Sequence, residues 1–343
     1  MVNYLKLLLS DKNSSAAKKR QLVSGGIFVL LLGLLAFILP WDEILGVLRR
    51  ADLKMVAIAF LVTTPTLYFN ALSFKVITDQ QNLSLSAFRL MAINMIVSFY
   101  EIFIPATLFG SGLRWYRLYQ ASSRPVQSFT AITYYKLVNI FMTLLLSVGF
   151  LLFTDVETIR GNLVEIILVI ITIAAIILLT PKLSRFILGF LPSIQQRLPK
   201  SSILDYLFKA ANKALESFND FGKLEFKHQL SIILYGLIAQ GFYLWGYIMM
   251  AESVGIDISF TKLGVIRSIS LLASSLPVNF TPAIGLNEIS LVALLSAYGV
   301  DLEFAVAMSV VVLFRKILFS LAGGVIEAVE FCIKKWPTLF RPV

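Results

Sequence analysis

The chain has 343 residues, of which 58% are hydrophobic and 15% charged, and its mean hydropathy is +0.82. That is too apolar for a soluble domain, and the apolar residues gather in runs of about eighteen or more, so the relevant solvent is a lipid bilayer. The net charge of +10 does not point to nucleic acid, because the basic residues fall between the apolar runs; one cysteine (Cys332) and one histidine (His228) exclude an intrachain disulfide and argue against an all-protein zinc site or a His-based triad.

In chain order, residues 1–21 form a basic N-terminal segment ending in Lys18, Lys19 and Arg20. The apolar run Leu22 to Leu39 follows and ends in "PWDE" without a small-residue cleavage site, so it reads as a retained first helix. Further full spans are expected over Met55 to Phe74, Phe129 to Phe153, Leu163 to Thr180, Gln229 to Met250 and Phe304 to Phe331, each near the roughly 20 residues that a bilayer core needs. Two other apolar stretches are interrupted: Phe88 to Leu118 by Pro105, Gly110 and Gly112, and Leu263 to Tyr298 by Pro277, Pro282 and Gly285. Residues 181–228 make a basic linker in which Leu204, Leu207, Phe208, Ala211, Leu215 and Phe218 recur at the spacing of an amphipathic helix lying on an anionic leaflet. Residues 332–343 are a basic tail.

Loop charge decides how the interrupted stretches are placed. If each turns back as a re-entrant hairpin, the inner segments hold 21 Lys and Arg and the outer ones 5. Letting the first cross, alone or with the second, would put the basic 181–228 linker outside, against the positive-inside rule. The expectation is an all-α integral membrane protein with six full transmembrane helices, two re-entrant hairpins and both termini cytoplasmic, in a cell membrane. Pro105 and Pro277 stand 172 positions apart, about half the chain, and paired interruptions in two halves are the mark of an inverted repeat with its site near the midplane.

Irregular backbone at membrane depth survives only beside protein or a water-filled cavity, so the breaks predict a polar pocket. Thr281 followed by Pro282 reads as the N-cap and first residue of a half-helix whose free N–H groups favour an anion; Asn279 is beside it. The cations at comparable depth are Arg114 and Arg117, which share a helical face, Lys136, Arg267 and Arg315, with Glu101 and Glu288 as the available carboxylates. A charge this deep costs about 2.5–3.5 kcal/mol, which demands a partner or a role. The bland reading is that these groups are internal ion pairs that fix packing, and that Arg114, Arg117 and Arg124 only set topology. Lys316 points about 100° from Arg315 and reads as a snorkelling or supporting residue. The aromatic run "FYLWGY", Phe242 to Tyr247, reads as an interface belt or packing, and Gly323 with Gly324 as a close helix contact. No phosphate loop, nucleophile–base pair or metal cluster is apparent, so neither an enzyme nor a cofactor is expected.

"FGSGLRWYRLY", "LPVNFTPAIGLNE" and the arginine of "VVLFRKILFSLAGG" resemble three signatures of the flippase-like membrane domain of lysylphosphatidylglycerol synthases. The matching residues are Gly110, Gly112 and Arg114, then Pro277, Gly285 and Glu288, then Arg315. The chain departs from the common pattern at Pro282 and Ala283, where many members have two glycines, and at Lys136, where many have a glutamate. The resemblance implies two re-entrant helices and movement of lipid across the bilayer, without the aminoacyl-transferring domain of the full synthases. The partners expected are membrane lipids, anionic or phosphate-bearing. The alternative function is a non-transporting partner of a lipid-modifying or glycosyl-transferring enzyme, presenting it with a lipid.

Overall fold

The computed structural model describes residues 49–102, 106–152, 224–274 and 286–339, with part of 212–221. Its main helices, among the described residues, are α1 (Leu53–Thr63), α2 (Pro65–Gln80), α3 (Ala87–Glu101), α4 (Ala106–Ser122), α5 (Pro125–Leu152), α6 (Phe226–Ser253), α7 (Phe260–Ser274), α8 (Leu286–Ala297) and α9 (Leu302–Leu339). Four stretches are long and apolar enough to cross a bilayer: Leu53–Gln80, Pro125–Ser147, Phe226–Ser253 and Leu302–Cys332. These correspond to four of the six spans expected from hydropathy; the other two, Leu22 to Leu39 and Leu163 to Thr180, lie outside the described residues.

Local chemistry sets the helix ends. Asp52 caps α1 by accepting from the amides of Lys54 at 3.0 Å and Met55 at 3.1 Å, and Ser86 caps α3 by accepting from Arg89 N at 3.2 Å. The span expected over Met55 to Phe74 is in fact two helices meeting at Thr64. Pro65 has no N–H for the Leu61 carbonyl, which accepts from Thr64 N at 3.1 Å instead, while the hydroxyls of Thr63 and Thr64 both donate to Phe60 O at 2.9 Å.

Each interrupted stretch resolves into two helices that pack on each other, α3 with α4 and α7 with α8. α3 has 15 residues and so rises about 22 Å, short of the roughly 30 Å hydrocarbon core, and α7 is described from Phe260 to Ser274. Gly110 and Gly112, expected as breaks, lie inside α4. The described helices end at Glu101 and resume at Ala106, so the two glycines do not interrupt them: a helical glycine keeps its backbone hydrogen bond. Pro105, Pro277, Pro282 and Gly285 lie outside the described residues.

The packing is reciprocal. Leu53–Gln80 and Phe226–Ser253 are 28 residues each, and Thr66 on the first donates its hydroxyl to Ala239 O on the second at 3.1 Å, 173 positions away. To one side of this contact Ser73 donates to Ile232 O at 3.3 Å; to the other, a Cβ on Gly246 would stand 2.8 Å from Ala59 O. The helices therefore run antiparallel. A shift of 173 carries Ser73 onto Gly246 and Ala59 onto Ile232, so the two flanking contacts are equally spaced about Thr66 and Ala239. α3 and α7 start at the same separation, 87 to 260, and α5 packs on α7 just as α9 packs on α3.

Two apolar cores follow this division. One joins Phe74, Ile93, Leu118 and Tyr135 of α2 to α5 with Ile232 of α6; the other joins Tyr247, Leu263, Leu291 and Met308 of α6 to α9 with Val56 and Ala59 of α1. Of the 181–228 linker, part of 212–221 is helical and docks at the end of α2: Gln81 Nε2 donates to Ser217 O at 3.0 Å, Gln80 Nε2 donates to Asp220 O at 3.1 Å, and Phe221 stacks on Tyr134 at 4.0 Å. Hydroxyl and amide contacts of this kind hold helices together where lipid removes the hydrophobic drive.

Candidate functional site

Tyr243 of α6 is the centre of the site. Its ring carries two guanidiniums, with Arg267 Cζ at 4.2 Å and Arg315 Cζ at 4.6 Å from the centroid. Both arginines are 7% exposed, and they come from different helices, α7 and α9. Arg267 Nη2 donates to Gln240 Oε1 at 2.6 Å, one turn before Tyr243 on the same face of α6. Arg315 Nε donates to Thr63 Oγ1 at 2.7 Å, and its guanidinium also lies 4.6 Å from the Phe319 ring. Thr63 is the last residue of α1, and its hydroxyl donates to Phe60 O while accepting from Arg315.

The carboxylate belongs to Glu288, 4% exposed and in the first turn described for α8. Lys316 Nζ is 3.6 Å from Glu288 Oε1. The 100° between Arg315 and Lys316 thus sends one cation toward α1 and α6 and the other toward α8. With Arg267, Arg315 and Lys316 set against Glu288, the cluster is cationic in sum. Arg267 Nε is buried with no hydrogen-bond partner among the described residues. Stacking on an aromatic face is worth up to about 2 kcal/mol for a desolvated cation, so Tyr243 offsets part of the burial cost without neutralising either guanidinium. What remains is positive charge with spare donors, which can hold an oxyanion.

A second group gathers at the first interruption. Lys136 of α5 donates to Ser111 Oγ and has Arg114 and Glu101 as charged neighbours. The Glu101 carboxylate lies where a Cβ of Gly110 would be, so Gly110 serves the close approach of α3 and α4. Nothing lies within 4 Å of the corresponding point on Gly112. Arg117 is not part of this group: it pairs with Glu327 of α9, which also accepts from Tyr100 Oη at 3.2 Å, and Arg89 pairs with Glu330 one turn on. Twelve residues of α9 separate Arg315 from Glu327, about 18 Å of rise, so Arg117 and Arg315 serve different places.

Of the residues singled out in the sequence, Arg267 and Arg315 come together on Tyr243, Glu288 pairs with Lys316 next to Arg315 in the chain, and Glu101, Arg114 and Lys136 form a separate group. Asn279 and Thr281 lie outside the described residues. Sequence reasoning missed Thr63, Gln240, Tyr243, Arg89, Tyr100, Glu327 and Glu330. The signals were a Thr-Thr-Pro inside a span and two glutamates three apart in the last one. Tyr243 had been absorbed into an aromatic belt, since nothing in one sequence distinguishes a ring that meets headgroups from a ring that meets arginines.

A bundle of apolar helices with two broken pairs and buried charge is a multi-pass membrane protein. The chain belongs to the family described as the lysylphosphatidylglycerol synthase TM region, which it matches over residues 21–324 of 343. That match includes both broken stretches and Arg315, and it ties the protein to membrane lipid. No curated protein and no solved structure matches it.

Proposed function

We propose that the protein is a lipid translocase that moves a phosphate-bearing phospho- or glycolipid across the bilayer through a polar cavity near the midplane. The observation that carries this reading is the pair of buried guanidiniums on Tyr243, in contacts that join four helices, α1, α6, α7 and α9. A headgroup phosphate between Arg267 and Arg315 would be held by charge-assisted hydrogen bonds while the acyl chains stay in lipid. Binding must stay moderate for release to follow. The α3–α4 and α7–α8 pairs act as re-entrant hairpins, and α3, the first arm of the first, is too short to cross. The reciprocal contact of Leu53–Gln80 with Phe226–Ser253 supports two halves of opposite orientation, the architecture that lets a fixed site open to one leaflet at a time.

Orientation follows loop charge, with both termini on the cytoplasmic side of the cell membrane. The drive is the lipid gradient, the membrane potential, or a proton carried by Glu101 or Glu288. No covalent step is required of the protein, and its partners are anionic or phosphate-bearing lipids.

Reconstitution tests this. Proteoliposomes with fluorescent anionic and zwitterionic lipids should scramble the anionic lipid, and Arg315→Ala or Glu288→Gln should abolish most of that rate. A wild-type protein that binds lipid yet moves none under any imposed gradient would replace transport with the role of membrane partner to a lipid-modifying or glycosyl-transferring enzyme.

A further inference from the structure

A groove of about 500 Å³ runs along α1 and α9. Leu53, Val56 and Phe60 line it from α1, Phe314 and Leu318 from α9, and Arg49 stands at its end. Val56 is 4% exposed and forms the floor, whereas Leu53 at 58% and Leu318 at 40% are rims open to the surroundings. Arg49 has no ion pair or hydrogen bond among the described residues, while its neighbour Arg50 is taken by Glu303 at 2.5 Å. The inner wall is shared with the arginine site: Phe60 and Phe314 rings are 6.1 Å apart, Phe60 O accepts from the Thr63 hydroxyl at 2.9 Å, and that hydroxyl accepts from Arg315.

We infer that this groove is a lipid docking seat, taking one acyl chain of an anionic phospholipid along α1 and α9 and its phosphate at Arg49. The shape and the charge belong together. An apolar trough closed at one end by an uncommitted guanidinium matches a molecule with a long tail and an anionic head, and neither feature alone would choose it. From Leu53 to Thr63 α1 rises about 15 Å, so a lipid seated here has its head beyond the start of that helix and its tail beside the wall behind which Arg315 lies. The seat is therefore a waiting position from which a headgroup enters the buried cluster. A second copy of this chain or an apolar helix of another protein would need the trough without the cation.

The inference rests on the lipid reading above, but its test does not depend on transport. Purified protein in nanodiscs containing a phosphatidylglycerol analogue with a diazirine in one acyl chain is irradiated, and the adducts are mapped by peptide mass spectrometry. Adducts should concentrate on residues 53–60 and 314–318. Ala57→Trp, which fills the trough, should lower them at least fivefold; Arg49→Ala should leave acyl labelling by a phosphatidylcholine analogue unchanged and remove the preference for the anionic one. Circular dichroism on each variant checks that it folds. Adducts spread evenly over all lipid-facing helices, or unchanged by Ala57→Trp in a folded protein, overturn the seat and mean annular lipid only. Dimer cross-links through Leu53 or Leu318 that exclude the probe overturn it in favour of a second copy. A protein that labels in the groove but moves no lipid keeps the seat and loses the translocase.

Discussion

The Nε of Arg315 donates to the hydroxyl of Thr63 at 2.7 Å, joining residues 252 positions apart at the depth where Pro65 breaks the second span. The break thus falls beside the threonine whose hydroxyl accepts from a buried guanidinium. Thr63→Val, nearly isosteric, should keep the fold and lower lipid transport about tenfold by leaving one donor of a buried charge unmet, a cost of about 1–3 kcal/mol. Thr63→Ser should recover most of the rate in the same fluorescent lipid assay.

Arg315→Lys is expected to behave like Arg315→Ala in transport. A lysine carries the charge but cannot stack a planar group on Tyr243 while donating sideways to Thr63. A rate within twofold of wild type for Arg315→Lys would mean that charge alone suffices.

Tyr243→Phe keeps the ring and should retain most activity and stability. Tyr243→Leu removes the aromatic face that both arginines share and should cost about 1–3 kcal/mol, since each desolvated stack is worth up to about 2 kcal/mol. Thermal unfolding in detergent, compared across the two variants, reads the difference directly.

Gly323 faces the backbone of Met95, and a Cβ there would collide with its carbonyl; on Gly324 a Cβ would lie 2.7 Å from the Phe99 ring. Gly323→Ala should push α9 off α3 and destabilise by about 1–3 kcal/mol, as overpacking does. Gly112→Ala, with open space around it, is the matched control and should be neutral within about 0.5 kcal/mol.

Arg117 and Glu327 are buried to a similar degree, with side chains 14% and 18% exposed. Removing either alone strands its partner and should cost about 1–3 kcal/mol, whereas Arg117→Leu with Glu327→Leu should cost less than the sum. A double-mutant cycle on thermal stability measures the coupling. Additive losses would place the two charges in separate environments.

Much of the fold could be read from the sequence because lipid leaves few choices: a run of apolar residues must become a helix, and a proline in it must mark a break. The spans at Met55, Phe129, Gln229 and Phe304, and the pairing of two interrupted stretches, follow from that constraint. The burial of Arg267, Glu288 and Arg315 could be anticipated for the same reason, since charge inside an apolar run has nowhere cheap to go.

Which charges meet is a different matter, decided by how helices distant in sequence rotate against one another. Arg117 reads as a companion of Arg114 because they share a face of α4, yet it turns to Glu327 on α9, while Lys136 of α5 takes the Ser111 hydroxyl. Tyr243 is one aromatic among six residues until α7 and α9 lay their arginines on it. The glycines at 110 and 323 likewise state only that something comes close; Glu101 and Met95 are what comes close. Hydropathy along one chain fixes depth and direction, because the bilayer acts on every residue alike. Partnership depends on the azimuth of each helix, and only packing between helices sets that.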